Sequence, residues 1–125
     1  MSTGWTMSDA WVFAAISSDR AHDMRSLTQV IAIADAINHA ILVEAEFTSA
    51  VARLLSAGLV GADPVNDRYW MTDAGLRVRV QWRTGLFGWI DSIPAALRQL
   101  AEPIDAGYSL PPDAFRTAVR EYLKD

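Results

Sequence analysis

One stretch of the chain, LLSAGLVGADPVNDRYWMTDAG from residue 54 to 75, limits the possible folds more than any other. Gly58 follows a leucine-rich helical segment, at a position where a left-handed residue commonly closes a helix. LVGA and RYWMT are short strand candidates, and the DPVND between them is rich in turn-forming residues. Thr72 is a natural N-cap. The stretch therefore predicts a helix, a β-hairpin and another helix in direct succession.

Helical periodicity continues on both sides of this hairpin. Before it, the predicted helices are SDAWVFAAISS with Ser8 as N-cap, SLTQVIAIADAIN with Ser26 as N-cap, and EAEFTSAVARLLSAG. After it, they are DAGLRVRVQWR, SIPAALRQLAE with Pro94 in its first turn, and PPDAFRTAVREYLKD, with a break at TGLFGW. The expected fold class is mainly α with a small β-wing.

The composition indicates a globular protein. The chain has 125 residues, of which 51% are hydrophobic, enough for one domain with a real core. It has no cysteine, which excludes a disulfide framework and a thiolate metal site. No signal-peptide pattern and no apolar run of membrane-spanning length is visible, so we expect a cytoplasmic protein without a membrane partner.

The charge balance argues against binding nucleic acid through a broad basic surface. The formal net charge is −4 at pH 7 and the isoelectric point is near 5.0. Residues 44–83 are the least acidic part, because five arginines there balance five acids. Arginine suits bidentate contacts with phosphates and bases better than lysine does. This middle segment is therefore where contact with nucleic acid is expected.

This order of elements resembles the winged helix-turn-helix domains of bacterial regulators of the MarR and PadR types. The resemblance covers about residues 8–83 and depends on Leu54, Leu55, Ala57, Gly58, Leu59, Val60, Tyr69, Met71, Thr72 and Gly75. It implies a winged helix-turn-helix domain at residues 1–83. Residues 84–125 would be a C-terminal helical extension that either packs on this domain or forms a dimer seam. The implied function is sequence-specific DNA binding in transcription regulation, by a dimer of this chain.

The resemblance also implies which residues would contact DNA. The helix from Glu44 to Ala57 would be the recognition helix in the major groove, with outward positions at Ala45, Glu46, Ser49, Ala52, Arg53 and Ser56. Arg53 would bind guanine or phosphate, Ser49 a base or the backbone, and Glu46 a cytosine amine. Arg68 would make the wing contact with double-stranded DNA. Alternatively, both arginines are solvated surface charges.

A dense apolar cluster follows the hairpin. Trp82, Leu86, Phe87 and Trp89 are expected at the seam of a homodimer that would match a two-fold DNA site. The same side chains could instead cover the helix-turn-helix as core, and the sequence leaves both interpretations open. Arg77, Arg79 and Arg83 are similarly either a phosphate-facing strip or ordinary solvated charges.

A second function remains open on the same fold. The acidic helix face with Glu44 and Glu46 could bind a protein partner with a basic surface, without any DNA affinity. An enzyme is not expected, because no nucleophile elbow, phosphate-binding glycine loop or carboxylate dyad is present. His22 and His39 do not form a metal-ligand pattern, and Asp35 is expected to face water or a backbone amide. No metal or cofactor is therefore expected.

Overall fold

The first helix begins earlier than the sequence predicts. In the computed structural model, which describes residues 4–82, 88–104 and 107–124, α1 spans Met7–Ile16. Its N-cap is Thr6, whose hydroxyl accepts from the Asp9 amide at 3.2 Å, while the Asp9 carboxylate accepts from the Thr6 amide at 2.9 Å. This reciprocal pair satisfies two amides of the first turn, so the prediction of Ser8 as N-cap is wrong.

The second helix has the predicted start. α2 spans Leu27–Asn38, and the Ser26 hydroxyl accepts from the Gln29 amide at 3.1 Å, which confirms Ser26 as the N-cap. The helix ends at His39, whose φ of 54° lies in the left-handed region. The apolar stripe of α2 faces the core, as its spacing predicts; its buried members are Leu27, Val30, Ile31, Ala34 and Ile37.

The third helix and the hairpin follow the sequence prediction. α3 spans Glu44–Ser56, and Gly58 closes it with a φ of +75°. β1 (Val60–Asp63) and β2 (Arg68–Met71) pair antiparallel, with Val60 opposite Met71 and Asp63 opposite Arg68. A single bridge from Arg25 to Tyr69 attaches the segment before α2 to the other edge of β2. The hairpin is therefore joined to the helices that precede it.

The later helices differ from the sequence prediction at their ends. α4 spans Asp73–Arg79 and begins at the predicted N-cap Thr72, but it stops before the predicted residue 83. α5 spans Trp89–Arg98 and starts three residues before the predicted segment, so Pro94 lies inside the helix and not in its first turn. α6 spans Ala114–Leu123. Proline has no amide to bond the carbonyl one turn back, which leaves one α5 bond unmade.

The core lies between α1 and the helices around it. α1 is buried from Asp9 to Ile16, and α2, α3 and α5 pack against it, while α6 packs on α2. The described residues thus form six helices and one two-stranded antiparallel sheet, which confirms a mainly α fold with a small β element. None of the helices described is long and apolar enough to cross a membrane.

Candidate interaction site

Arg53, the only cation of α3, is buried. Its Nε donates to Asp9 Oδ2 of α1 at 2.9 Å, and the two side chains are 7% and 3% exposed. Its Nη2 also donates to the carbonyl of Gly4. A buried ion pair needs such additional hydrogen bonds to offset the loss of hydration. The prediction that Arg53 faces outward is therefore wrong, because α1 and the segment before it cover this side chain. Ala52, which was also expected to face outward, is buried as well.

Glu46 is occupied by contacts within the chain. Its Oε1 accepts from the Val43 amide at 3.3 Å, and its Oε2 accepts from the Ser8 hydroxyl of α1 at 2.8 Å. The carboxylate is half-buried and helps to hold the start of α3 against α1. Ser49, on the neighbouring side of the helix, is exposed as expected. The structure therefore separates Ser49, which faces solvent, from Arg53, which does not.

The surface of α3 that remains open is a mixture of apolar and acidic groups. Ile41 and Val43, in the turn before the helix, are 37% and 59% exposed. Glu44, Ala45 and Ser49 continue the exposed surface along the helix. We refer to these five residues as the α3 face. It contains no cation, which distinguishes it from the basic and amide-rich surface that base and phosphate contacts need.

The hairpin presents Arg68 beside two aspartates. Arg68 is exposed, and its Nη1 lies 3.5 Å from the sulfur of Met24. Asp67 has a φ of 56° and its Oδ1 accepts from the Leu27 amide at 2.8 Å, so it fixes the turn to the start of α2. The side-chain amide of Asn66 bonds the exposed Asp63 carboxylate and lowers its pKa. Both carboxylates reduce the positive potential around Arg68.

The arginines of α4 do not form one strip. Arg79 is half-buried, donates to the Ser17 hydroxyl at 3.2 Å, and lies 3.6 Å from Asp19. Its guanidinium stacks over the Trp82 ring at 4.0 Å, and desolvation lowers its pKa. Arg77 is exposed on another side of the helix. Arg83 lies outside the described residues.

The aromatic residues of the expected seam have different environments. Trp89 is 1% exposed and its Nε1 donates to the Ile37 carbonyl at 3.1 Å, so it belongs to the core of the chain. Trp82 is half-buried next to Arg79. Leu86 and Phe87 lie outside the described residues. Of the four residues expected at the seam, the structure describes Trp82 and Trp89. The core interpretation applies to Trp89, so only Trp82 of these two is partly accessible to a partner.

Two hydrogen bonds between side chains are not predicted from the sequence. The Asp35 carboxylate accepts from the Tyr122 hydroxyl of α6, and this bond raises the pKa of Tyr122. The hydroxyls of Tyr69 and Tyr108 lie 2.8 Å apart and join β2 to the segment before α6. No local pattern signals either pair, because the partners are 87 and 39 residues apart. In the described ranges, no group of three His, Cys, Asp or Glu residues forms a potential metal site.

The described surface also contains a cavity that the sequence gives no reason to expect. It has a volume of about 550 Å³ and lies between the end of α3, α4 and the end of α5. Arg77, Gln81, Gln99 and Glu102 are among the polar residues that line it.

Comparisons with protein-family models, curated proteins and solved structures find no match to this chain.

Proposed function

We propose that this chain is a winged-helix protein-interaction module whose α3 face binds a partner protein with a basic surface. The observation that carries the proposal is the burial of Arg53 against Asp9, which leaves the α3 face without a cation. A helix that enters the major groove of DNA needs donors for phosphates and base edges on its outward side. The element order of three helices, a hairpin and a fourth helix supports the winged-helix interpretation.

The chemistry of the α3 face supports a protein partner. Val43 and Ile41 are exposed apolar side chains that a partner would cover, and Glu44 adds a carboxylate at their edge. An apolar centre with a charged rim is typical of protein interfaces. The negative charge at the rim would favour a partner surface of positive charge, because complementary potentials speed association and like charges repel. A basic surface with an apolar patch is the matching chemistry.

Sequence-specific DNA binding remains the second candidate, and one observation favours it. Arg68 is exposed at the hairpin, where a wing would contact phosphate or the minor groove. One exposed arginine beside Asp63 and Asp67 gives little attraction for a duplex. We therefore rank DNA binding below protein binding.

Site-specific cross-linking tests the proposal directly. A photoreactive p-benzoylphenylalanine in place of Ala45, on the α3 face, is expected to cross-link a specific protein in cells of the source organism. The same residue in place of Arg98, which is exposed on α5, is the matched control and is expected not to capture that protein. The captured protein is then purified, and Glu44→Lys is expected to weaken its binding about tenfold or more.

Fluorescence anisotropy with labelled duplex DNA supplies the opposing test. At low salt the parent protein is expected to bind random and genomic duplexes weakly, and Arg68→Ala is expected to change this little. Tight binding that falls steeply with rising salt and is lost in Arg68→Ala would overturn the proposal in favour of DNA. Equal capture of the same protein from positions 45 and 98 would overturn the assignment to the α3 face.

A further inference from the structure

The cavity between α4 and α5 has the size and walls of a small-molecule site. Its volume of about 550 Å³ lies within the usual range for ligand pockets. Most of the wall is apolar, and the largest aliphatic side chains in it are those of Leu59, Val78, Leu100 and Ile104. Leu100 and Ile104 are 39% and 66% exposed, so these apolar surfaces are in contact with water when the cavity is empty of ligand. An apolar molecule would remove that contact.

The polar groups of the cavity lie at the ends of the two helices. Arg77 is in the last turn of α4, and Gln99 follows the last turn of α5. Gln81 comes after the end of α4, and its side-chain amide donates to the Arg77 carbonyl at 3.2 Å. Gln81 and Gln99 also line an adjoining cavity of about 440 Å³, together with Asp91 and Ser92. The two amides therefore lie where the cavities meet. This arrangement has a few polar side chains next to an apolar wall, which is how small-molecule sites orient their ligands.

Arg77 provides the charge that selects a ligand. It makes no ion pair with any described residue, whereas Arg53 and Arg79 are paired with Asp9 and Asp19. Its guanidinium can form two parallel bonds to a carboxylate or sulfonate. Glu102, on the segment after α5, is the carboxylate of this wall and disfavours a second negative charge on the ligand.

We propose that this cavity binds a small, mainly apolar molecule that carries a single anionic group. Arg77 binds the anion, the Gln99 side chain and the side-chain oxygen of Gln81 bond a neutral polar group of the ligand, and the apolar body covers Leu100 and Ile104. The site is separate from the α3 face, so the proposal stands or falls independently of a protein partner.

The probe for the test is 8-anilinonaphthalene-1-sulfonate, an apolar ring system with one sulfonate. The folded parent is expected to bind one equivalent, measured by titration of the dye's fluorescence. Arg77→Gln is expected to weaken binding about tenfold, because a charge-assisted bond is lost. Leu100→Glu is expected to weaken it at least as much, because it places a like charge on the apolar wall. Circular dichroism and thermal melts confirm that each variant is folded.

Matched controls make the result specific to the cavity. Arg98→Gln removes an exposed α5 cation outside the lining, and Val65→Glu adds a charge at the hairpin tip; both are expected to bind the dye like the parent. N-phenyl-1-naphthylamine, which lacks the sulfonate, is expected to bind the parent and Arg77→Gln equally. Unchanged dye binding in Arg77→Gln, or an equal loss in Arg98→Gln, would overturn the proposal.

Discussion

Arg53 of α3 and Asp9 of α1 form a buried ion pair, with Arg53 Nε 2.9 Å from Asp9 Oδ2. Asp9 also accepts from the Thr6 amide, and Arg53 also donates to the Gly4 carbonyl. One pair thus joins the cap of α1, the segment before it and the middle of α3. The contact removes the only α3 cation from the surface and fixes how α3 lies against α1.

Removing one partner of this pair is expected to be costly. Arg53→Ala leaves the Asp9 carboxylate buried without its counter-ion, so the free energy of unfolding should fall by about 3–5 kcal/mol. Arg53→Ala combined with Asp9→Asn is expected to cost less than the sum of the two single changes, with a coupling on the order of 2 kcal/mol. Urea unfolding measures all four proteins, and Arg98→Ala is the surface control. Strictly additive effects would contradict a direct buried contact.

Trp89 is expected to affect stability and not association. Trp89→Phe removes the indole donor of the buried Ile37 carbonyl, so the free energy of unfolding should fall by about 1–3 kcal/mol. Sedimentation velocity should give the same oligomeric state for this variant and the parent, because Trp89 is 1% exposed within a single chain. If Trp89→Phe dissociates an oligomer while the monomer stays folded, the residue belongs to a subunit interface after all.

Substitution of either of two glycines near the hairpin is expected to destabilise the protein, for a different reason at each position. A Cβ at Gly75 would lie 2.2 Å from the Leu59 carbonyl oxygen, so Gly75→Ala forces backbone movement and should cost about 1–3 kcal/mol. A Cβ at Gly58 would meet no atom within 4 Å, but its φ of +75° strains alanine by about 1–2 kcal/mol. Asparagine tolerates that conformation. Thermal melts should therefore show Gly58→Asn milder than Gly58→Ala, and Gly75→Asn at least as harmful as Gly75→Ala.

The raised pKa values of Tyr69 and Tyr108 predict a loss of stability at alkaline pH. Burial, followed by the bond to Tyr108, raises the pKa of Tyr69 above its ordinary value of 10.0, and burial likewise raises the pKa of Tyr108. A folded pKa above the unfolded one contributes stability that is complete below about pH 10 and is lost as the pH rises further. The urea concentration at the midpoint of unfolding should therefore decrease as the pH is raised above about 10. Tyr69→Phe should show a shallower fall, and an unchanged slope would contradict the raised pKa.

Local signals in the sequence were sufficient wherever neighbouring residues decide the structure. Ser26, Gly58 and Thr72 end or begin their helices as predicted, because a cap depends on the backbone within a few residues. Thr6 was missed in favour of Ser8 because both hydroxyls precede the same apolar run. Their spacing to Asp9 distinguishes them: Thr6 and Asp9 have the three-residue separation of a capping box.

The candidate site was predicted less well, because exposure is not a local property. Ser49 and Arg53 are one turn apart on α3, and the sequence gives both as outward. Only the packing of α1 shows that Arg53 is covered while Ser49 is not. The cavity beside Arg77 was not foreseen for the same reason, since its walls come from segments far apart in the chain.

The sequence by itself determined the order of the helices, the hairpin and most of their caps, because these follow from periodicity and from backbone preferences over a few residues. The tertiary structure decided which charges remain available to a partner. Asp9 and Arg53 are 44 residues apart, and their attraction acts only after folding has brought α1 against α3 and excluded water from both.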